Sequence, residues 1–163
     1  MTKAIVVLAD SKQAKKLGAS VKRASVNLDK SVDIAFAHDE YDYITVIKNK
    51  PKSAEDARTL GGDMFSKYKE TATELELDDA LGFTNDMLEG IDLAGYTFSW
   101  YKTDAKDFVK LNSVTVNGKS IHSVKQSIST SIMLARDLVS EPGNVLYPQT
   151  YAARIERHLS PLG

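Results

Sequence analysis

The chain has 163 residues, 42% of them hydrophobic and 26% charged, which is typical of a globular domain with one sizeable core. The formal net charge of −1 excludes a global electrostatic attraction to nucleic acid or acidic lipid, and the absence of cysteine excludes disulfides and thiolate chemistry. We expect neither a signal peptide nor a membrane span, since no apolar run approaches the ~20 residues that a span needs.

The first third of the chain predicts three strands. Lys3 to Ala9 is a short apolar run rich in β-branched residues, which predicts a buried strand. The polar stretch Lys12 to Asn27 predicts a loop followed by a short helix near Ser20. Val32 to Ala37 and Asp42 to Lys48 predict two further strands, the second more strongly because Tyr, Ile, Thr and Val suit a pleated surface.

The clearest helix is predicted from Ser53 to Lys69. Ser53, with Asp56 three residues later, resembles an N-terminal capping arrangement. Apolar and small residues recur at helical spacing and define one buried face: Ala54, Ala57, Leu60, Gly61, Met64, Phe65 and Tyr68.

The rest of the chain predicts alternating strands and helices. Two strands are predicted at Glu74 to Leu81 and at Phe108 to Val116, the second closed by an Asn117-Gly118 turn. Three helices are predicted at Asn85 to Tyr101, Ser120 to Val139 and Tyr147 to Leu159. Strands alternating with helices indicate an α/β layered domain, and the strand order stays open.

Two runs in the second half resemble a known family. Ala135 to Pro148 reads ARDLVSEPGNVLYP, and it closes a helix before a turn at Pro142-Gly143. Gly90 to Thr103 reads GIDLAGYTFSWYKT. In order and spacing the two runs resemble the N-terminal part of the leucyl (cytosol) aminopeptidases of bacterial type, the M17 metallopeptidase family. The resemblance is specific from Gly90 to Ala153 and loose before that.

The resemblance implies a fold and a division of the chain. The implied fold is three-layer α/β/α and macro-domain-like, with a mixed sheet of about six strands. Residues 1–140 would form a non-catalytic N-terminal domain. Residues 141–163 would be a linker and the first helix leading to a catalytic domain, on which the stripe of Tyr151, Ile155 and Leu159 would pack. Without that partner the stripe would dock elsewhere or fray.

The resemblance also implies the activity and partners of the parent protein. The family releases N-terminal amino acids from peptides in the cytoplasm, using two divalent metals such as Zn²⁺ or Mn²⁺, and assembles as a hexamer. The expected partners are therefore the chain's own catalytic domain, the other subunits of the hexamer and, through the parent, peptide substrates. Neither a membrane nor nucleic acid is expected as a partner.

No residue of this chain is assigned as catalytic, cofactor-binding or metal-binding. The family's N-T-D-A-E-G-R signature does not occur, and without ligands for two metals the chain alone is expected to be inactive. His38-Asp39-Glu40 with Asp33 and Asp42 would suit an oxygen-rich metal site, but a solvated loop is preferred. A surface position is preferred for His122.

Four further features have alternative interpretations. Gly61-Gly62 favours close packing of a helix against the sheet over a phosphate-binding loop, because the pair lies mid-helix. Tyr96, Phe98, Trp100 and Tyr101 favour helix core packing over a ligand platform or interface patch. The basic run from Lys12 to Arg23 and the acidic run from Glu70 to Asp92 favour solvated faces over docking surfaces.

Two alternative functions follow from these interpretations. The first is a stand-alone nucleotide- or ADP-ribose-binding module, against which the absence of a glycine-rich loop counts. The second is a DNA-binding regulatory domain, for which the basic run from Lys12 to Arg23 is the only support.

Overall fold

A mixed sheet of six strands organises the described part of the chain. The computed structural model describes residues 2–18, 21, 31–35, 38–101, 109–120 and 126–162. The strands are β1 (Lys3–Leu8), β2 (Ser31–Ala35), β3 (Tyr43–Ile47), β4 (Glu74–Leu77), β5 (Ser113–Val116) and β6 (Lys119–Ser120), in the order β2-β3-β1-β4-β5-β6. Four of them (β3, β1, β4 and β5) run parallel, and the edge strands β2 and β6 are antiparallel to their neighbours.

Helices lie on both faces of this sheet. They are α1 (Lys12–Lys16), α2 (Ala54–Tyr68), α3 (Thr84–Ala94), α4 (Gln126–Ser140) and α5 (Pro148–Leu159), and 3₁₀ turns occur at Asp79–Leu81 and Ser160–Leu162. Helices α2 and α3 share a buried cluster with one face, and α1 shares a second cluster with the other. The predicted α/β/α fold with a mixed sheet of about six strands is therefore confirmed.

The alternation of side chains along β1 separates the two cores. Ala4 and Val6 face α2 and α3, whereas Ile5 and Val7 face α1, and all four are buried. Burying an aliphatic side chain of this kind stabilises a fold by about 1.5–3 kcal/mol. A strand apolar on both sides belongs at the centre of a parallel sheet, which is where β1 lies.

Glycine allows α2 and α3 to pack at very short range. A Cβ atom on Gly61 would stand 2.1 Å from the carbonyl oxygen of Met87, so no side chain fits there. The expected role in close packing is confirmed for Gly61 but not for Gly62, whose nearest neighbours would lie 3.7 Å from a Cβ atom, and the predicted packing partner was wrong. Gly61 packs against a second helix and not against the sheet, because α3 covers that side of α2.

The start of the chain differs from the prediction in one element. Helix α1 begins at Lys12, where a loop was expected, because Ser11 caps it and accepts a hydrogen bond from the backbone N–H of Ala14 over 3.0 Å. The helix expected near Ser20 lies outside the described residues. The strands expected at Lys3 to Ala9, Val32 to Ala37 and Asp42 to Lys48 are confirmed as β1, β2 and β3.

Three predicted elements were too long. The strand from Glu74 stops at Leu77, because Asp78 then caps a 3₁₀ turn by accepting from the N–H of Ala80 over 3.0 Å. The helix predicted to reach Tyr101 ends at Ala94. Ser120, predicted to begin a helix, instead pairs with Thr115 in β6, and residues 121–125 lie outside the described part.

The remaining predicted elements are present in the structure, although some of their ends differ. The strand predicted from Phe108 is present as β5, but it begins only at Ser113, and Phe108 itself lies outside the described residues. Asn117 and Gly118 both have positive φ, 47° and 73°, as the predicted hairpin turn requires. The helices predicted at Ser53 and at Tyr147 are confirmed as α2 and α5.

Candidate functional site

In the loop that carries His38, polar side chains accept hydrogen bonds from backbone N–H groups. His38 Nδ1 accepts a hydrogen bond from the N–H of Glu40 over 3.2 Å, and Asp42 Oδ2 accepts from the N–H of Lys3 over 2.8 Å. Among the described residues, no three His, Asp or Glu side chains are placed to hold a metal ion. His122 lies outside the described residues.

The acidic run from Glu70 to Asp92 was predicted to be a solvated face, and this is wrong for several of its members. Glu89 is buried and pairs with Arg58, whose Nε lies 3.1 Å from Glu89 Oε2. Asp78 is also buried, and its Oδ2 accepts from the N–H of Leu8 over 3.3 Å. These two carboxylates have separate partners, since Asp78 accepts from backbone N–H groups of Leu8 and Ala80 and Glu89 accepts from Arg58.

A cleft of about 820 Å³ lies beside the carboxyl ends of β1, β4 and β5. In parallel sheets this edge is where ligands most often bind. Its wall is polar and carries both signs of charge: Lys12, Gln13, Lys16, Leu17, His38, Glu40, Tyr41, Glu76, Asp78, Asp79, Ala80, Asn117 and Gly118.

Two buried or half-buried groups in the cleft are already paired. Tyr41 Oη donates a hydrogen bond to Glu76 Oε2 over 2.6 Å. Burial, and then the Glu76 carboxylate, raise the pKa of the Tyr41 phenol, so it stays a neutral donor. This hydrogen bond occupies the Tyr41 phenol and one oxygen of the Glu76 carboxylate.

The basic run is only partly described, and its described part adjoins the cleft. Lys12 and Lys16 line the cleft together with acidic residues, and Lys22 and Arg23 lie outside the described residues. Nucleic-acid binding depends on a surface of one sign. The mixed charge of the cleft counts against the DNA-binding alternative.

The aromatic residues after α3 do not form the helix core that was predicted. We call Tyr96, Phe98, Trp100 and Tyr101 the aromatic strap. Phe98 stacks on Trp100, with ring centroids 6.1 Å apart, and Trp100 and Tyr101 are 61% and 51% exposed. The chain leaves the helix at Gly95 because the strap makes its contacts with later parts of the sequence. An interface patch, the other interpretation of this cluster, fits the exposure better.

The strap contacts α4 through Tyr96. Tyr96 Oη donates to Asp137 Oδ1 over 2.8 Å, and the guanidinium of Arg136 lies over the Tyr96 ring at 5.4 Å. Arg136 also donates to the carbonyl oxygen of Leu93 over 2.9 Å, at the end of α3. Burial, and then Asp137, raise the pKa of the Tyr96 phenol. These contacts fix α4 against the end of α3.

The strap also contacts the junction between α4 and α5. Glu141 has a side chain only 1% exposed and accepts a hydrogen bond from Tyr101 Oη over 2.7 Å. Arg154 in α5 donates to both carboxylate oxygens, with Nη2 at 2.9 Å from Oε1. These donors, Arg154 foremost, lower the pKa of the Glu141 carboxyl against the opposing effect of burial.

Sequence reasoning missed Glu141 and Arg154. The only available signal was a pair of opposite charges on either side of the Pro142-Gly143 turn. Thirteen residues separate the two side chains, and no local periodicity brings them together. Their contact depends on how the turn directs α5.

Helix α5 exposes most of its surface. None of its residues is buried, and Tyr151 and Leu159 of the predicted stripe are 46% and 57% exposed. Arg154 extends from α5 towards the ring of Trp100, with Cζ 5.7 Å from the ring centroid. Among the described contacts, Arg154 is the side chain that links α5 to Glu141 and Trp100, and of its apolar stripe Tyr151 and Leu159 are exposed and Ile155 is half-buried. Within the described residues, no helix is both long and apolar enough to cross a membrane.

Comparison with known proteins gives one consistent group of sequence relatives. A probable cytosol aminopeptidase of Rhizobium etli is 35% identical over 127 residues, which is 68% of this chain. A probable cytosol aminopeptidase of Clostridium perfringens is 30% identical over 110 residues, or 60% of the chain. This chain is a relative of the cytosol aminopeptidases. The aligned region makes up only 25% and 22% of those two relatives. No family model matches the chain.

Solved structures agree on the fold. A mutant of tomato leucine aminopeptidase aligns with 98% of this chain at a TM-score of 0.69 and 14% sequence identity. The aligned part is 39% of the tomato enzyme's chain. At this identity the comparison establishes a shared fold, and the relationship to cytosol aminopeptidases is carried by the sequence matches.

Proposed function

We propose that this chain is the non-catalytic N-terminal domain of a leucyl aminopeptidase, with residues 1–140 as the domain and 141–163 as the junction to a catalytic domain. One observation carries the proposal. The chain resembles cytosol aminopeptidases in sequence and yet matches only 25% and 22% of two of them. A fold shared with only 39% of the tomato leucine aminopeptidase chain agrees with this partial match.

The parent protein would be a cytoplasmic metallo-exopeptidase that releases N-terminal amino acids from peptides as a hexamer. Two divalent metals, Zn²⁺ or Mn²⁺, would supply an activated water and polarise the peptide carbonyl in its catalytic domain. The described residues of this chain do not fit such a centre, since they contain no suitable group of three His, Asp or Glu side chains. We therefore derive no catalytic step for this chain.

The role of this domain would be to support assembly or limit substrate access. The strap and α5 both carry large exposed apolar side chains, namely Trp100, Tyr101, Tyr151 and Leu159. Large exposed apolar side chains on neighbouring elements are typical of a surface that meets another domain. In the parent, the stripe of α5 would pack on the catalytic domain.

Two measurements test the proposal. The chain alone, supplied with Zn²⁺ or Mn²⁺, should not hydrolyse a leucine anilide and should retain no stoichiometric metal after dialysis. It should bind the catalytic region of the Rhizobium etli relative, prepared without that protein's own matching region. Tyr151→Asp with Leu159→Asp should abolish this binding. Gln149→Asp, on the opposite side of α5, should leave it intact. Turnover by the chain alone would contradict the proposal.

The cleft at the strand ends favours a second candidate, a nucleotide- or ADP-ribose-binding module. Its volume of about 820 Å³ would accommodate such a ligand. Diphosphate recognition, however, needs several successive backbone N–H groups or a set of cations free of acidic neighbours. The lining of the cleft has Glu76, Asp78 and Asp79 beside its lysines. The aminopeptidase domain is therefore the function that we favour.

A further inference from the structure

Glu141 is placed where three parts of the chain meet. It follows the last residue of α4, and its backbone N–H continues the helix by donating to the carbonyl oxygen of Asp137 over 3.1 Å. Its side chain accepts from Tyr101 of the strap and from Arg154 of α5. A single buried carboxylate thus joins the end of α4, the strap and α5.

The backbone between α4 and α5 is also fixed. The carbonyl oxygen of Pro142 accepts from the N–H groups of Val145 and Leu146, both over 2.9 Å. Thr150 Oγ1 accepts from the N–H of Tyr147 over 3.0 Å and thereby caps the start of α5. With the N–H groups of Val145, Leu146 and Tyr147 paired in this way, the second half of the junction is a defined turn.

Apolar packing attaches α5 only weakly to the rest of the domain, since no residue of the helix is buried. Charge-assisted, bidentate hydrogen bonds between Arg and a carboxylate are stronger than hydrogen bonds between neutral groups. Burial of the carboxylate also protects them from competition by water. Removing one partner leaves the other charge buried without compensation. The position of α5 therefore depends on this one pair more than on packing.

We propose that Glu141 is a latch: through Arg154 and Tyr101 it fixes the direction in which α5 leaves the domain, and its release frees the helix as a unit. The latch is a property of this chain and holds whether or not the proposed aminopeptidase role is correct. Trp100 lies beside it and is the single tryptophan of the sequence, so its fluorescence reports on the latch.

The test compares Glu141→Gln with Glu156→Gln, which removes an exposed carboxylate from α5 itself. Hydrogen exchange is measured by mass spectrometry on the full chain, in α5 and in α2. In Glu141→Gln we expect α5 amides to exchange at least about tenfold faster, with α2 unchanged. Trypsin should cut wild type after Arg157 before Arg154, and the variant should lose this order. Trp100 emission should change only in Glu141→Gln.

A second variant separates geometry from charge. Arg154→Lys keeps the positive charge but loses the bidentate contact, so it should raise α5 exchange by an intermediate amount. Equal exchange in Glu141→Gln and Glu156→Gln would overturn the proposal. A matching rise in α2 would also overturn it, because Glu141 would then hold the whole fold and not α5 in particular.

Discussion

Gly90 of α3 lies against the backbone of Arg58 in α2, so closely that a Cβ atom at position 90 would stand 2.0 Å from the Arg58 carbonyl oxygen. The contact is reciprocal, because Gly61 of α2 approaches the carbonyl oxygen of Met87 in the same way. Each helix thus uses one glycine to admit the backbone of the other. Beside this contact, Arg58 pairs with the buried Glu89.

Alanine at either glycine should separate the two helices. We expect Gly61→Ala and Gly90→Ala each to lower the free energy of unfolding by about 1–3 kcal/mol or more, because backbone atoms must move to admit the methyl group. Gly62→Ala is the matched control, since its nearest neighbours would be 3.7 Å away. It should be neutral or stabilising, up to about 1 kcal/mol. Urea unfolding measures all three, and equal effects at positions 61 and 62 would contradict the packing.

The cap of α2 gives a second prediction. Ser53 Oγ accepts from the N–H of Asp56 over 3.1 Å and satisfies one of the free donors at the start of the helix. Ser53→Ala should lower the free energy of unfolding by about 1 kcal/mol. Ser66→Ala, at an exposed position of the same helix, should change it little. A stability loss shared by both variants would argue against a capping role.

Asp92 predicts a stability effect that depends on pH. Burial, and then the neighbouring Glu89, raise the pKa of the Asp92 carboxyl. Because its pKa is higher in the folded state, the Asp92 carboxyl contributes to the free energy of unfolding in full below its unfolded-state pKa of about 3.9. This contribution is lost as the pH rises through its folded-state pKa. The charge is therefore unfavourable at neutral pH, and it lies near the negative end of the α3 dipole.

Asp92→Asn should raise Tm at pH 7, and the gain should shrink towards pH 3 as the wild-type carboxyl becomes protonated. Asp86→Asn is the control at the other end of α3, where a negative charge in the first turn is favourable. That variant should lose about 0.3–1 kcal/mol at pH 7 and low ionic strength. Thermal unfolding at several pH values distinguishes them. A lower Tm for Asp92→Asn at pH 7 would show that the Asp92 charge stabilises the fold, contrary to this prediction.

Ligand binding provides a fourth prediction. ADP-ribose should not bind with a Kd below ~10 µM, equivalent to about −7 kcal/mol, because the cleft sets carboxylates beside its two lysines. Isothermal titration calorimetry with ADP-ribose measures this directly, with Lys12→Ala as a check on any weak signal. Binding tighter than this limit, lost in Lys12→Ala, would favour the nucleotide-binding module over the accessory domain.

Elements with local signals were predicted well from the sequence. Helix α2 carries its cap at Ser53 and a repeating apolar face, so both its existence and its start could be predicted. The turn at Asn117-Gly118 was equally local, because those two residue types tolerate positive φ. Strand β1 was recognisable as buried, but nothing local says that β3 and β4 are its neighbours.

Features that depend on distant partners were not predicted. The sequence predicts a helix that continues to Tyr101, because the aromatic residues continue its apolar pattern, whereas α3 ends at Ala94. The chain instead leaves the helix so that Tyr96 can reach Asp137, 41 positions away. The pair of Glu141 and Arg154 was missed for the same reason. Each partner is unremarkable in its own stretch of sequence, and the fold alone makes them meet.

The central place of β1 has a consequence for synthesis and engineering. Among the described strands, β1 comes first along the chain and lies inside the sheet, since it pairs with both β3 and β4. Its neighbours are about 39 and 71 residues away along the chain, as in the pairs Ala4–Tyr43 and Lys3–Glu74. During synthesis β1 can pair with β3 first, and its other edge stays unpaired until β4 has been made, so the sheet forms late and through non-local contacts. Deletions beyond Thr2 would remove the middle of the sheet and not a terminal edge.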